Sequence, residues 1–158
     1  MGFFSALTRL FKKPEAKSIS HPELGEIYYS HTLWHTDHCQ IGRFNHIECT
    51  LDGNTHSPDQ DAIEACLWAR DNWEHIFGLI AKTAYNDVYE PYTDAPFDVP
   101  QIDSAEALEP TIELLGLSFT SKNTFEVSMR FTWQDANDDH LITFYVEHDT
   151  CTGVSIDG

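Results

Sequence analysis

The chain has 158 residues, of which 41% are hydrophobic and 13% aromatic, so one domain with a sizeable core is expected. This composition excludes a chain that is disordered throughout. The formal net charge of −17 argues against nucleic-acid binding, which needs Lys and Arg to contact phosphates, and it favours a basic partner.

The N-terminus differs from the rest of the chain. Residues 2–13 predict a short amphipathic helix ended by Pro14, because apolar side chains recur at helical spacing and the basic ones lie off that stripe. Residues 14–23 are polar and predict a linker. The segment 1–13 would dock on the chain's own domain, on a partner subunit or on a membrane surface, and a single amphipathic face favours docking on protein.

Three strands are predicted next, over residues 25–30, 32–41 and 44–51, from their β-forming residues and their alternation. Gly42 and Arg43 predict a tight hairpin turn between the last two strands. The pattern then changes from period two to a helical period.

Residues 58–89 predict a long helical segment, with Ser57 as N-cap, Pro58 at the first helical position and a break near Gly78. Residues 104–109 predict a second, short helix. The last third of the chain again alternates, and short polar gaps separate four predicted strands, which favours an antiparallel meander: 111–120, 124–133, 140–148 and 151–157.

The predicted fold class is therefore α+β, with antiparallel β-sheet and the helical segment 58–89 packed across it. Residues 1–23 form the amphipathic helix and linker, and residues 24–158 form a single domain. This order of a β block, helices and a closing meander ending in HLITFYVEHDTCTGVSIDG resembles a group of uncharacterised bacterial domain families. Some relatives of those families are thought to be immunity proteins beside secreted toxins, which implies a protein-binding role and no particular site residues.

Histidines cluster in the predicted hairpin 31–48, which suggests a metal site with Asp37 or Glu48 as a carboxylate ligand. The histidines in question are His31, His35, His38 and His46. Strand alternation works against the simplest arrangement, because it places His31 and His35 on one face and His38 on the other. The alternative interpretation is a set of surface histidines on a solvated sheet.

The four cysteines, Cys39, Cys49, Cys66 and Cys151, include no C-x-x-C pair, so a zinc ribbon or thioredoxin-type site is not predicted. Cys39 and Cys49 face each other across the hairpin in one register, which does not by itself imply a disulfide. The chain shows no secretory signal and no apolar run long enough to span a membrane. Free thiols in a reducing cytoplasm are the expectation.

Candidate binding residues are Asp135, Asp138 and Asp139 of an acidic turn, together with Trp34. The turn begins like a calcium loop, but His140 and Val146 stand where such a loop needs Gly and Glu. The other three tryptophans, Trp68, Trp73 and Trp133, are expected in the core unless exposed.

No motif for nucleophilic catalysis or phosphate binding is present, and no cofactor is expected. The sequence therefore favours a non-catalytic acidic module that binds a basic protein, of which an immunity protein neutralising a basic toxin is one form. The alternative is a metal-dependent enzyme or metal-binding protein that uses the His-rich hairpin 31–48.

Overall fold

The computed structural model describes residues 17–94, 99–134 and 140–157, and it is an α+β fold. The predicted N-terminal helix over residues 2–13 lies outside the described residues. Among the helices that are described, none is both long and apolar enough to cross a lipid bilayer.

Within the described residues, eight strands form one sheet whose spatial order follows the chain. They are β1 (Ser18–His21), β2 (Gly25–Ser30), β3 (Leu33–Ile41), β4 (Phe44–Leu51), β5 (Ile112–Phe119), β6 (Thr124–Phe131), β7 (Leu141–Glu147) and β8 (Thr150–Asp157). Every neighbouring pair is antiparallel except β4 and β5, which run parallel. The predicted antiparallel sheet is thus a mixed one, and the closing meander is confirmed.

The predicted strands all occur, and β4 matches its predicted bounds of 44–51. One strand was missed, because β1 lies inside the polar segment 14–23 that predicted a linker. It pairs with β2 at the edge of the sheet, where one face of a strand is free to carry polar side chains.

Helices fill the crossover between the parallel strands β4 and β5. They are α1 (Gln60–Asp71), α2 (Trp73–Thr83), a π-helical segment (Ala84–Tyr89), α3 (Glu90–Thr93) and α4 (Ala105–Leu108), followed by a 3-10 turn (Glu109–Thr111). Helix α1 packs over β4 and β5, and α2 contacts β8. Parallel neighbours need such a long connection, because the chain must return to the end of the sheet from which β4 started.

The helical segment is broken at Asn72, and the predicted break near Gly78 is wrong. The backbone N–H and the side-chain amide of Asn72 both donate to the carbonyl of Trp68, at 3.0 and 2.9 Å. A side chain that satisfies this carbonyl ends the helix locally. Gly78 lies within α2, where it does not interrupt the helix.

The predicted N-cap at Ser57 is also wrong, because α1 begins at Gln60. The side chain of Asn54 accepts hydrogen bonds from the backbone N–H groups of His56 and Ser57, at 2.8 and 3.3 Å. This arrangement closes a loop, so the helix starts only after it. The carbonyl of Asp59 accepts the first helical hydrogen bond, from the N–H of Ile63. Helix α4 does have a side-chain cap, since Ser104 accepts from the N–H of Ala107 at 3.2 Å.

The sheet has one apolar face under the helices and one polar face. In β6, Phe125, Val127, Met129 and Phe131 are buried, whereas the residues between them are half-buried or exposed. This alternation is what a sheet covered on one side requires. Five aromatic side chains are among the largest that are fully buried, so much of the apolar stabilisation of the core comes from rings: Trp34, Phe119, Phe125, Phe131 and Phe144.

The hairpin of β3 and β4 carries two bulges. Thr36 pairs with Cys49 and Cys39 with Ile47, so β3 has one extra residue between these pairs. The next pair is Ile41 with Phe44, so here β4 has the extra residue, and His46 adopts a φ of 59°. Each bulge shifts the alternation by one residue in its strand. The buried positions of β3 therefore change from 34 and 36 to 39 and 41.

The turn of this hairpin needs glycine at position 42. Gly42 has a φ of 54°, and a Cβ there would collide with the indole of Trp73 at the start of α2. Trp73 stacks on Phe77 with ring centroids 5.8 Å apart, and Phe44 meets the Phe77 ring edge-on at 5.5 Å. The turn and the helix are thus held together by aromatic packing.

We expect Gly42→Ala to lower the free energy of unfolding by about 2–4 kcal/mol, combining left-handed backbone strain with overpacking against Trp73. Gly78→Ala is the matched control, because a Cβ there has no neighbour within 4 Å. It should raise stability by about 0.5–1 kcal/mol, since alanine is favoured over glycine inside a helix. Urea unfolding of the two variants checks both values, and equal effects would contradict the tight turn.

Candidate functional site

A pocket of about 500 Å³ opens beside α1, next to the β5–β6 and β7–β8 turns. It is lined by two residues of the helix, four residues of the two turns and one residue of β6: Glu64, Trp68, Lys122, Asn123, His148, Asp149 and Phe125. The two turns are tied together at this point, because the N–H of His148 donates to the carbonyl of Asn123 at 2.7 Å.

Trp68 is the aromatic wall of this pocket and is 39% exposed. Its ring meets the ring of Phe125 at 64°, with centroids 6.4 Å apart, and Phe125 itself is buried. The inward stripe of α1 includes Ala62, Ala65 and Ala69, so Trp68 lies off the buried side of the helix. A large indole left at the surface is the kind of side chain that anchors protein interfaces.

The rim of the pocket carries two carboxylates and one ammonium group. Lys122 Nζ lies 3.3 Å from Glu64 Oε2, and both side chains are well exposed. The pKa of Glu64 lies below its usual range, first because Gln60 donates a hydrogen bond to it and then because of Lys122. With Lys122 engaged by Glu64, the carboxylate of Asp149 gives the rim a net negative charge.

Trp34 does not belong to a surface site. It is fully buried, and its Nε1 donates to the carbonyl of Asn54 at 2.9 Å. Trp34, predicted as a binding residue, therefore offers no exposed surface to a partner. Its indole is part of the core. The other three predicted binding residues, Asp135, Asp138 and Asp139, lie outside the described residues.

Sequence reasoning missed Trp68 because it chose Trp34 as the binding candidate and expected Trp68 in the core unless exposed. A signal was present, since Trp68 follows Glu64 by four residues and so shares its face of a helix. The buried stripe instead includes Ile63 and Cys66. The side of α1 on which Trp68 lies distinguishes it from the tryptophans of the core.

The three hairpin histidines whose side chains are described form no metal-binding group. Both nitrogens of His35 have partners: Nδ1 lies 2.9 Å from Glu48 Oε1, and Nε2 lies 3.0 Å from the carbonyl of Ser30. The side chains of His31 and His46 are exposed at positions of positive φ. Among the side chains that the structure describes, which do not include that of His38, the only metal-type grouping consists of three cysteines.

These cysteines are Cys39 on β3, Cys49 on β4 and Cys66 on α1, and their sulfur atoms lie within 4.8 Å of one another. All three are buried, whereas Cys151 is half-exposed. The pKa of Cys39 lies below its usual range, because the thiol of Cys49 and then that of Cys66 are placed to form hydrogen bonds with its sulfur. The same hydrogen bonds raise the pKa of Cys49 and of Cys66.

Comparison of the chain with protein-family models, with curated proteins and with solved structures finds no match. The resemblance to immunity-related bacterial families therefore stays a prediction. The chemistry of the pocket and of the cysteine cluster is what bears on function.

The two tryptophans are distinguished by their effect on stability. We expect Trp34→Ala to lower the free energy of unfolding by about 3–5 kcal/mol, because it removes a fully buried indole. Trp68→Ala should cost about 1 kcal/mol, which is the scale of one aromatic pair. Chemical unfolding followed by far-UV circular dichroism measures both, and equal costs would contradict the placement of Trp68 at the surface.

Proposed function

We propose that this protein is a non-catalytic binding module that captures a basic protein, with the pocket around Trp68 as its anchoring site. The observation that carries this proposal is an exposed indole flanked by carboxylates on a chain of net charge −17. An interface needs an apolar anchor with a polar rim, and the pocket supplies both.

The pocket suits an arginine or lysine side chain of the partner. A guanidinium stacked on the face of Trp68 gains a cation–π interaction, and the carboxylates of Glu64 and Asp149 accept its hydrogen bonds. The floor formed by Phe125 excludes water from beneath the stacked group. A lysine of the partner would use the same carboxylates as a point charge.

Internal pairing of the protein's own cations supports the same conclusion. Arg70 contacts Glu23 and Asp71, Arg130 contacts Glu113, and Lys122 contacts Glu64. These ion pairs of the described residues engage few of the chain's 26 acidic side chains. The remaining carboxylates create a negative field that steers a cationic surface toward the protein and raises the association rate.

An immunity protein that covers the cationic groove of a nuclease toxin belongs to this class. Such an enzyme must carry Lys and Arg to hold phosphates, and an acidic protein competes for the same groove. The sequence resemblance and the charge both favour this form of the proposal. No catalytic residues are required for it, because inhibition follows from occupation of the groove alone.

The proposal is tested by affinity capture from the source cells, with three baits run in parallel: the wild-type chain, Trp68→Ala and Tyr145→Ala. Tyr145 is the matched control, because it is an aromatic side chain of nearly the same exposure, 38%, whose strand neighbours Phe144 and Val146 point into the core. A basic protein retained by wild type and by Tyr145→Ala but lost with Trp68→Ala supports the pocket.

With that partner purified, Trp68→Ala should weaken binding by at least about tenfold, the effect of a hot-spot residue. Titration calorimetry measures the change, and Tyr145→Ala should bind like the wild type. Equal affinity of the wild type and Trp68→Ala would overturn the assignment of the pocket.

Affinity for the partner should also fall steeply as salt rises, because exposed charges are screened beyond about 8 Å at physiological ionic strength. Neutralising Glu64 and Asp149 together, by Glu64→Gln and Asp149→Asn, should slow association and flatten this dependence. Asp87→Asn is the charge control, since Asp87 is exposed on the π-helical segment outside the pocket. Affinity that stays constant from low to high salt would contradict an electrostatic partner.

A further inference from the structure

Three thiols from three different elements meet in the core. Cys39 of β3 and Cys49 of β4 come from the bulged hairpin, and Cys66 comes from the inward side of α1 above it. Their sulfur atoms lie within 4.8 Å of one another, and their exposed fractions are 3%, 0% and 0%. A ligand at their centre would thus be held by both layers of the fold.

The spacing is close to what one metal ion requires. A zinc–sulfur bond of about 2.3 Å places the sulfur atoms of one coordination sphere about 4 Å apart. The three sulfur atoms already approach this separation, so small side-chain rotations suffice. An isolated buried cysteine packs like a small apolar side chain, but three thiols directed at one point also form a donor set.

We propose that Cys39, Cys49 and Cys66 bind one thiophilic divalent cation, with Zn²⁺ as the physiological candidate. This site shares no residue with the pocket around Trp68, and its proposal does not rest on the proposed partner.

The donor chemistry selects the class of ion. Thiolates are soft ligands that prefer Zn²⁺ and Cu⁺, and they do not suit Mg²⁺ or Ca²⁺. No His, Asp or Glu joins the group among the described side chains, so the set is all sulfur. Binding exchanges the thiol protons for the ion, which leaves three thiolates around it.

Charge favours a divalent ion over a monovalent one. Three thiolates with a divalent cation leave one negative charge in the core, whereas a monovalent cation leaves two. Burial of charge is costly unless it is compensated, so the smaller residual charge is preferred. Arg70 is a cation beside this cluster, because it lines one pocket together with Cys39.

An entry route is present on the side of Cys39. This residue lines a polar pocket of about 360 Å³ together with Glu23, Gln40, Gly42 and Arg70. Glu23 Oε2 and Arg70 Nη2 lie 2.8 Å apart at its mouth, in partly exposed positions from which both side chains can move. Zinc prefers four ligands, and a water admitted from this pocket would supply the fourth.

The test is titration of the reduced, metal-free full chain with Co²⁺, a spectroscopic substitute for Zn²⁺, followed by displacement with Zn²⁺. We expect one equivalent of Co²⁺ to produce sulfur-to-cobalt charge-transfer absorption that Zn²⁺ abolishes. Cys39→Ser, Cys49→Ser and Cys66→Ser should each weaken Zn²⁺ binding at least about 100-fold, since even loss of an outer-shell partner costs 10–100-fold. Cys151→Ser is the matched control and should bind like the wild type, because its thiol is outside the cluster.

A second measurement on the wild type covers the case in which the serine variants do not fold. Zn²⁺ should slow alkylation of the three clustered thiols and leave the rate at Cys151 unchanged, as read by peptide mass spectrometry. Absence of stoichiometric charge-transfer absorption, binding of Cu⁺ but not Zn²⁺, or a signal that depends on Cys151 would each overturn the proposal. Alkylation of all four cysteines at rates unaffected by Zn²⁺ would do the same.

Discussion

The two bulges in the β3–β4 hairpin determine which side chains enter the core. Side chains in a strand alternate between faces, so one extra residue exchanges every later position. In β3 the extra residue turns Cys39 and Ile41 inward after Trp34 and Thr36. Thr36 Oγ1 donates to the carbonyl of Leu24 at 2.9 Å, so this buried hydroxyl is satisfied just before the alternation changes. Without the bulges Cys39 would face away from Cys49 and Cys66.

The same hairpin positions the helices. Its turn at Gly42 receives the indole of Trp73, and Arg43 lies over the rings of Phe44 and Phe77, at 4.9 and 5.2 Å from their centroids. These contacts fix the start of α2, and through the short break at Asn72 they also fix the end of α1. Helix α1 then covers β4 and β5, which leaves the β5–β6 and β7–β8 turns open beside it. The pocket around Trp68 is the space that results.

Much of this fold follows from local signals in the sequence. The bounds of β4 and the existence of the short helix near residues 104–109 were predictable, because alternation and helical patterns act over a few residues. The parallel pairing of β4 with β5 was not, since it depends on how the whole crossover returns to the sheet. The bulges were not predictable either, because the φ of 59° at His46 carries no sequence signature comparable to glycine.

The candidate site was less predictable than the fold, for a physical reason. Composition alone places tryptophan in the core, and that expectation holds for Trp34 and Trp73 but not for Trp68. The exposed indole is recognised only once the inward stripe of α1 is known.

Helix α1 carries both sites that the structure suggests. Cys66 and Trp68 are two residues apart, and at about 100° per residue their side chains leave the helix in nearly opposite directions. Cys66 faces the two strand cysteines, and Trp68 faces the pocket. Any restraint on the inward side of α1 therefore acts on the element that positions Trp68. Coupling between binding at the indole and binding at the Cys66 thiol would require that occupation of one site shifts α1, and any such coupling would be reciprocal.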